Sequence, residues 1–179
     1  NYSGYEAGSG GVFYINSGSD VGFINCNFTN NKAKSGAGGA LHIRYVSNLY
    51  FENLNFDKNS ATTWGGAIYA ISSTLKHMNH FNLTNNYAGD AGGALCLDIP
   101  INNLNFTNNI NGDTEGVFNF NEYNNSAGGR GGLFFIGTAN NVNFVDCDFE
   151  NITGKGIKAE IDYKSHNLKP QFKLADRVK

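Results

Sequence analysis

The sequence predicts an all-β chain wound as a right-handed parallel β-helix, a solenoid of about five coils. Three observations carry that prediction: a Gly-Gly-apolar block that recurs at near-constant spacing, a second short motif between successive blocks, and apolar alternation of strand type around both.

The first block stands at Gly10-Gly11-Val12-Phe13, Gly38-Gly39-Ala40-Leu41, Gly65-Gly66-Ala67-Ile68, Gly92-Gly93-Ala94-Leu95 and Gly131-Gly132-Leu133-Phe134, at intervals of 28, 27, 27 and 39 residues. The second reads Phe28-Thr-Asn-Asn31, Phe56-Asp-Lys-Asn59, Leu83-Thr-Asn-Asn86 and Phe106-Thr-Asn-Asn109. A period of ~27 residues with glycine at one corner and asparagine at another is the length of one solenoid coil. Both residues tolerate a left-handed backbone at low cost, which a chain of many tight turns requires.

Aligning the blocks gives columns of one character. Phe13, Leu41, Ile68, Leu95 and Phe134 form one column; Ile15, Ile43, Ala70, Leu97 and Ile136 form another two residues on. In the second motif the inward columns are Cys26, Leu54, Phe81, Cys147 and Phe28, Phe56, Leu83, Phe149, with Asn27, Asn55, Asn82 and Asp148 between them facing out. Helical spacing fits none of these. Right-handedness follows from the near-universal hand of crossovers between parallel strands.

Composition agrees. Charged residues are 16% and aromatics 13%, the reverse of a disordered chain. There are 29 Asn and 23 Gly but 2 Pro, which excludes collagen-like or Pro-rich linker sequence. A net charge of −2 shows no footprint for nucleic acid. No apolar run approaches the ~18 residues of a membrane span. The chain opens at Asn1 without Met or a signal-peptide pattern, as a processed or excised piece of a longer protein would.

The GGA-Ile/Leu and F-x-x-N motifs resemble the repeat of polymorphic membrane proteins, found in chlamydial surface adhesins and in adhesin-like proteins of methanogenic archaea. The resemblance covers about residues 8–153. Ala40, Ala67 and Ala94 complete GGA, whereas Val12 and Leu133 depart from it, and Leu83 replaces Phe once. It implies an extracellular, surface-attached adhesive protein, with no catalytic residues and no cofactor.

The repeat breaks in two places. In the 39-residue interval two registers compete: either Leu104-Asn-Phe106 ends a strand and residues 107–117 are inserted, or Phe106–Asn109 is the true corner and Gly116–Phe120 begins a shortened coil. The tightness of a 16-residue coil from Gly116 to Gly132 favours the first. Under either register residues 107–130 bulge from the stack. The repeats occupy residues 1–153; residues 154–179 hold seven of the thirteen basic residues and read as a terminal strand (156–163) and then a cap, a linker or the start of another domain.

Candidate chemistry is sparse. Asp146, Asp148 and Glu150 share one strand face and are a weak Ca²⁺ candidate, but earlier coils carry Asn25, Asn27, Thr29 and Asn53, Asn55, Asp57 there, so no carboxylate ladder forms. Of His42, His77, His80 and His166, only His77 and His80 lie close, and strand alternation sends them to opposite faces. Each GG pair marks a turn, not a phosphate cradle. The column Tyr14, His42, Tyr69, Cys96, Phe135 lies between two inward columns and is largely aromatic. Tyr14, His42, Tyr69 and Phe135 are therefore the candidate ligand-binding residues, suited to sugar rings or a protein surface; a covering loop is the plainer alternative. Six N-x-Ser/Thr sequons offer glycosylation candidates at Asn1, Asn27, Asn82, Asn105, Asn124 and Asn151.

Cys26 and Cys147 share an inward column about four strand spacings, ~19 Å, apart, too far for a disulfide. Cys96 lies in the outward column, so three free thiols are expected, with Cys96 the accessible one. The expected function is a non-catalytic surface adhesin or structural module that presents a binding surface to glycans, to host or neighbouring cell-surface proteins, or to further domains of its own parent. A polysaccharide lyase or hydrolase on the same fold is the rival, and a bare spacer the third possibility.

Overall fold

The computed structural model describes residues 1–107, 117–123, 125–129, 131, 134–145, 149–150 and 153–154. Asp146, Asp148, Asn124, Asn151, the strand expected at 156–163 and the segment 164–179 lie outside the described residues. Every described element is a strand, and every strand pairing is parallel. The chain is a β-solenoid of about four turns, against the five expected. Five strand layers, one per Gly-Gly block, enclose four intervals.

Each turn visits three faces. A long face stacks Gly22–Thr29, Leu49–Asp57, Leu75–Thr84 and Val117–Tyr123. A narrow face stacks the two-residue strands Glu6–Ala7, Lys32–Ala33, Ser60–Ala61, Tyr87–Ala88, Ser126–Ala127 and Thr153–Gly154. A third face stacks Phe13–Ile15, Leu41–Arg44, Ile68–Ile71, Leu95–Thr107 and Phe134–Val145.

The register reproduces the columns read from the sequence: Phe13, Leu41, Ile68, Leu95 and Phe134 pair in succession, as do Phe28, Phe56 and Leu83. Leu41, Ile43, Ile68, Leu95, Phe28, Phe56 and Leu83 are fully buried in one core. Like sits over like, so the Phe28 and Phe56 rings stack 4.8 Å apart and 6° from parallel. Each such side chain contributes ~1.5–3 kcal/mol, which one coil alone could not accumulate against the entropy of ordering it.

The corners explain the two motifs. In the GG blocks the first glycine is left-handed (Gly38 φ 68°, Gly65 φ 61°), and a Cβ on the second would overlap the next coil's backbone, Gly39 against the Gly66 carbonyl oxygen. In F-x-x-N the residue before the final Asn is left-handed (Asn30, Lys58, Asn85), which turns Asn31, Asn59 and Asn86 inward, where each is fully buried.

The 39-residue interval resolves in favour of the first register, with one change. Leu95–Thr107 is one strand that passes straight through Phe106 and Thr107, while Asn108 and Asn109 lie outside the described residues. Asn125 takes the corner instead, fully buried and accepting from the Asn86 backbone N–H at 3.0 Å. Residues 117–123, expected to bulge, are a strand of the stack: Val117–Asn119 pair with Asn105–Thr107, and Phe120–Tyr123 pair with Phe81–Thr84.

Candidate functional site

The aromatic column runs along the outside of the third face. Ile68 and Ala70 belong to the main core, while Tyr69 joins a separate cluster with Ala37 and Cys96, against which Ile71 and Phe135 pack. The inward/outward assignment therefore holds. The exposure expected of the outward residues does not: His42, Tyr69 and Cys96 are buried, Phe135 is half-buried, and only Tyr14, at 50%, stands out into solvent. The loops between the narrow and third faces supply the cover. Ala37 packs on Tyr69, and the Trp64 indole lies 5.4 Å from its ring, held by a 2.9 Å hydrogen bond from Nε1 to Asp90 Oδ2.

The rings touch edge to face, Tyr14 to His42 at 4.8 Å and His42 to Tyr69 at 4.9 Å. Burial lowers the His42 pKa, with the Arg44 charge adding to it, and His42 Nδ1 is buried without a partner. Burial likewise pushes the Tyr69 phenol up to about 12, helped by Cys96 and Asp98. Both rings are thereby kept neutral.

At the exposed end the column meets a cation. Arg44 Nη1 donates to the Tyr14 hydroxyl at 3.3 Å and Nη2 to the Tyr45 hydroxyl at 3.1 Å, with the guanidinium carbon 4.7 Å from the centre of the Tyr45 ring. Tyr45 is 55% exposed. Neither Arg44 nor Tyr45 was singled out from the sequence. Their positions differ in type from coil to coil (Arg44, Ile71, Asp98 in one column), and a column read down the repeats shows only what recurs.

A second cluster lies on the long face. His77 Nε2 sits 2.6 Å from Glu52 Oε2, and His80 Nδ1 sits 2.7 Å from Glu52 Oε1. The two imidazoles were expected on opposite faces. They converge because His80 is left-handed (φ 52°), as Asn53 and Asn25 are in the coils before it, which breaks the period-2 alternation in mid-strand. The Tyr50 ring stacks on His77 at 4.3 Å and fixes its plane. Burial acts to raise the Glu52 pKa, but the hydrogen bonds of His77 and His80 outweigh it and leave it below the usual range. No group of three or more His, Cys, Asp or Glu among the described residues is placed to hold a metal ion.

Of the sequons, Asn27 is exposed on the long face with its Nδ2 donating to Asn1 Oδ1 at 2.9 Å. Asn82 is half-buried and donates to Asn55 Oδ1 at 2.8 Å. Asn105 lies within the strand Leu95–Thr107, and Glu150, of the acidic trio, within Phe149–Glu150.

Repeat geometry and residue pattern together agree with one known repeat. Residues 25–44 and 53–71 match the family model of the Chlamydia polymorphic membrane protein repeat. Each matched stretch runs from the left-handed Asn25 or Asn53 through F-x-x-N and Gly-Gly-Ala to the end of the third-face strand, Arg44 or Ile71. Both copies thus cover the long-face kink, the asparagine corner and the outer column at His42 and Tyr69. No curated protein and no solved structure is significantly similar to the chain.

Proposed function

We propose that this chain is a non-catalytic, extracellular cell-surface module that presents a binding surface to glycans or to host or neighbouring cell-surface proteins. The coarser part, a solenoid with polymorphic membrane protein repeats, fits a surface adhesin-like module. The observation that carries the finer part is the half-exposed pair Tyr14 and Tyr45 on either side of Arg44, set on a rigid stack of parallel strands. Exposed phenols bury area on a partner at low entropic cost. The position of the binding surface shifts accordingly: Tyr14 remains in it, His42 and Tyr69 support it from beneath, and Phe135 lies farther along the covered column.

Binding of the purified 179-residue chain to host cells and to a glycan array tests this. Saturable binding lost in a Tyr14→Ala/Tyr45→Ala variant that still melts cooperatively is the expected result. Absence of binding to any cell or glycan would overturn it. Cleavage of pectin or alginate, with or without Ca²⁺, would promote the polysaccharide-active enzyme in its place.

A further inference from the structure

We infer that the Tyr14–Arg44–Tyr45 rim is a subsite for one acidic sugar residue, the guanidinium taking its carboxylate or sulfate and the two phenol rings bracketing the pyranose. This subsite rests on the surface-binding function proposed above and names the ligand class for it.

The charge comes first. Arg44 forms no ion pair among the described residues; the ion pairs found there involve Lys34, Lys58, His77 and His80. Its two terminal nitrogens each give one hydrogen to a neutral phenol, and Nε is buried with no partner. One hydrogen then remains on each terminal nitrogen, available to the oxygens of a carboxylate or sulfate. A guanidinium whose neighbours are two phenols and no carboxylate keeps its full charge for an incoming anion.

The backbone supplies an independent observation. Among the described residues ten non-glycine residues have positive φ, and nine of them are Asn, Asp, Ser, Lys or His; the tenth is Tyr45, at φ 55°. A bulky aromatic is an outlier in that region. The turn itself does not ask for it, since Ser72 makes the same left-handed turn one coil on. An aromatic ring stands where a small polar residue fits better, and more than half of it faces solvent. The Arg44 guanidinium, which bonds the Tyr45 hydroxyl and lies over its ring, accounts for part of that choice, and the solvent-facing remainder of the phenol is open for a sugar ring to rest on.

Preorganisation completes the case. His42 holds Tyr14 edge-on at 4.8 Å, and both phenols fix the guanidinium, so little side-chain freedom remains to be lost on binding. Specificity comes from the same arrangement: the rings accept any pyranose, and the guanidinium selects the anionic one.

Isothermal titration of the full chain with a tetragalacturonate, a sulfated heparin-derived tetrasaccharide and neutral cellotetraose decides the matter. The two acidic probes separate carboxylate from sulfate. At least one should bind tenfold or more tightly than cellotetraose, weaken as salt is raised, and lose tenfold or more in Arg44→Gln. Arg44→Lys should recover part of that loss. Tyr45→Asn should weaken binding while the melting temperature stays level or rises. Cellotetraose binding as well as the acidic probes, no binding of either acidic probe, or Arg44→Gln binding them like the parent would each overturn the inference. If cell or array binding persists undiminished in Arg44→Gln, this subsite is wrong and the broader surface function stands; if neither exists, both fall.

Discussion

The Asn59 side chain donates from Nδ2 to Oδ1 of Asn86, one turn further on, at 3.1 Å. That same oxygen accepts from the Asn59 backbone N–H at 3.0 Å, and the second Nδ2 hydrogen goes to the Phe28 carbonyl at 2.9 Å. Asn31 repeats the pattern toward Asn59, and Asn86 toward Asn125. The amides of Asn31, Asn59 and Asn86 are fully buried and each uses both hydrogens, so the corner is a continuous polar spine inside the fold.

Asn59→Ala should therefore be among the most damaging single changes. It strands the Asn31 backbone N–H and one Asn31 amide hydrogen, frees the Phe28 carbonyl, and halves the load on Asn86 Oδ1. At ~1–3 kcal/mol for each buried group left unpaired, a loss of about 3–5 kcal/mol is expected in urea unfolding. Asn59→Asp should not rescue it, because the carboxylate keeps the acceptor but loses the donor and buries a charge. A loss below about 1 kcal/mol in Asn59→Ala would show that the spine adds little.

Gly66, in a recurring Gly-Gly block, and Gly4, outside every block, should differ sharply. Gly66→Ala puts a Cβ into the Gly93 carbonyl oxygen and within 2.6 Å of Tyr87 backbone atoms, none of which can turn aside. At Gly4 (φ 73°) a Cβ meets nothing within 4 Å, so alanine there carries only the left-handed penalty of ~1–2 kcal/mol. Gly4→Ala should fold and melt a few degrees lower. Gly66→Ala should fail to form soluble protein or melt far below it, as a melting series would read.

What the sequence discloses is whatever recurs. The GG corner, the asparagine corner and the inward columns repeat each coil, so stacking them reveals fold and register together. Asn125 escaped because Glu122 stands at its motif's first position, where Phe or Leu stands in the other coils; the shorter pattern Asn-x-Ala, common to Asn31, Asn59, Asn86 and Asn125, would have found it. The convergence of His77 and His80 on Glu52 escaped because a left-handed residue in mid-strand cancels the alternation on which the reading relied. The cover over Tyr69 comes from loop residues such as Ala37 and Trp64, and periodicity carries no information about where a loop lies.

Tyr69 and Tyr14 provide the check on that cover. Tyr69 is buried in the outer cluster, so Tyr69→Ala should cost about 3–4 kcal/mol, where an exposed column would have left stability nearly unchanged. Tyr14, half in solvent, should cost about 1 kcal/mol or less. Equal effects in thermal melts would mean that the loops do not close over Tyr69 in solution.

Acidification should destabilise the fold in two stages. Burial, with Arg44 adding, holds the folded His42 pKa below the usual 6.5, so the unfolded chain takes up that proton first; this stability is present above about 6.5 and is lost as pH falls through the lower folded value. Glu52 and Asp57 are likewise below their usual 4.5 and 3.8 when folded: burial opposes this, but His77 and His80 for Glu52, and Asn85, Thr84 and Lys58 for Asp57, outweigh it. Their contribution is present above those usual values and disappears as pH falls through the folded ones. Melting temperature measured from about pH 7.5 to about pH 3 should show His42→Phe flattening the first decline and Glu52→Gln the second. Superimposable parent and variant profiles would remove these groups from the account.

The cysteines invert the order of reactivity expected from their columns. Neither Cys26 nor Cys96 is joined in a disulfide. Cys96 faces out of the barrel, yet Tyr69 and Ala37 close over it and leave it 2% exposed. Cys26 faces the core, but it lies in an early coil: Leu54 pairs with it on one side, while the short strand Tyr2–Ser3 reaches only Phe28 and Thr29 on the other. It remains half-buried, its Sγ lying 3.3 Å from the Ile24 carbonyl oxygen. Access to the thiolate sets the rate of reaction, so Cys26 should be labelled first in the native protein. Titration with a thiol reagent should find one prompt equivalent among these two residues, abolished in Cys26→Ser and kept in Cys96→Ser. Cys96 should react only at the rate of local opening, and in denaturant the total should reach three with Cys147. Prompt labelling retained in Cys26→Ser and lost in Cys96→Ser would restore the open outer column and remove the loop cover from the structure.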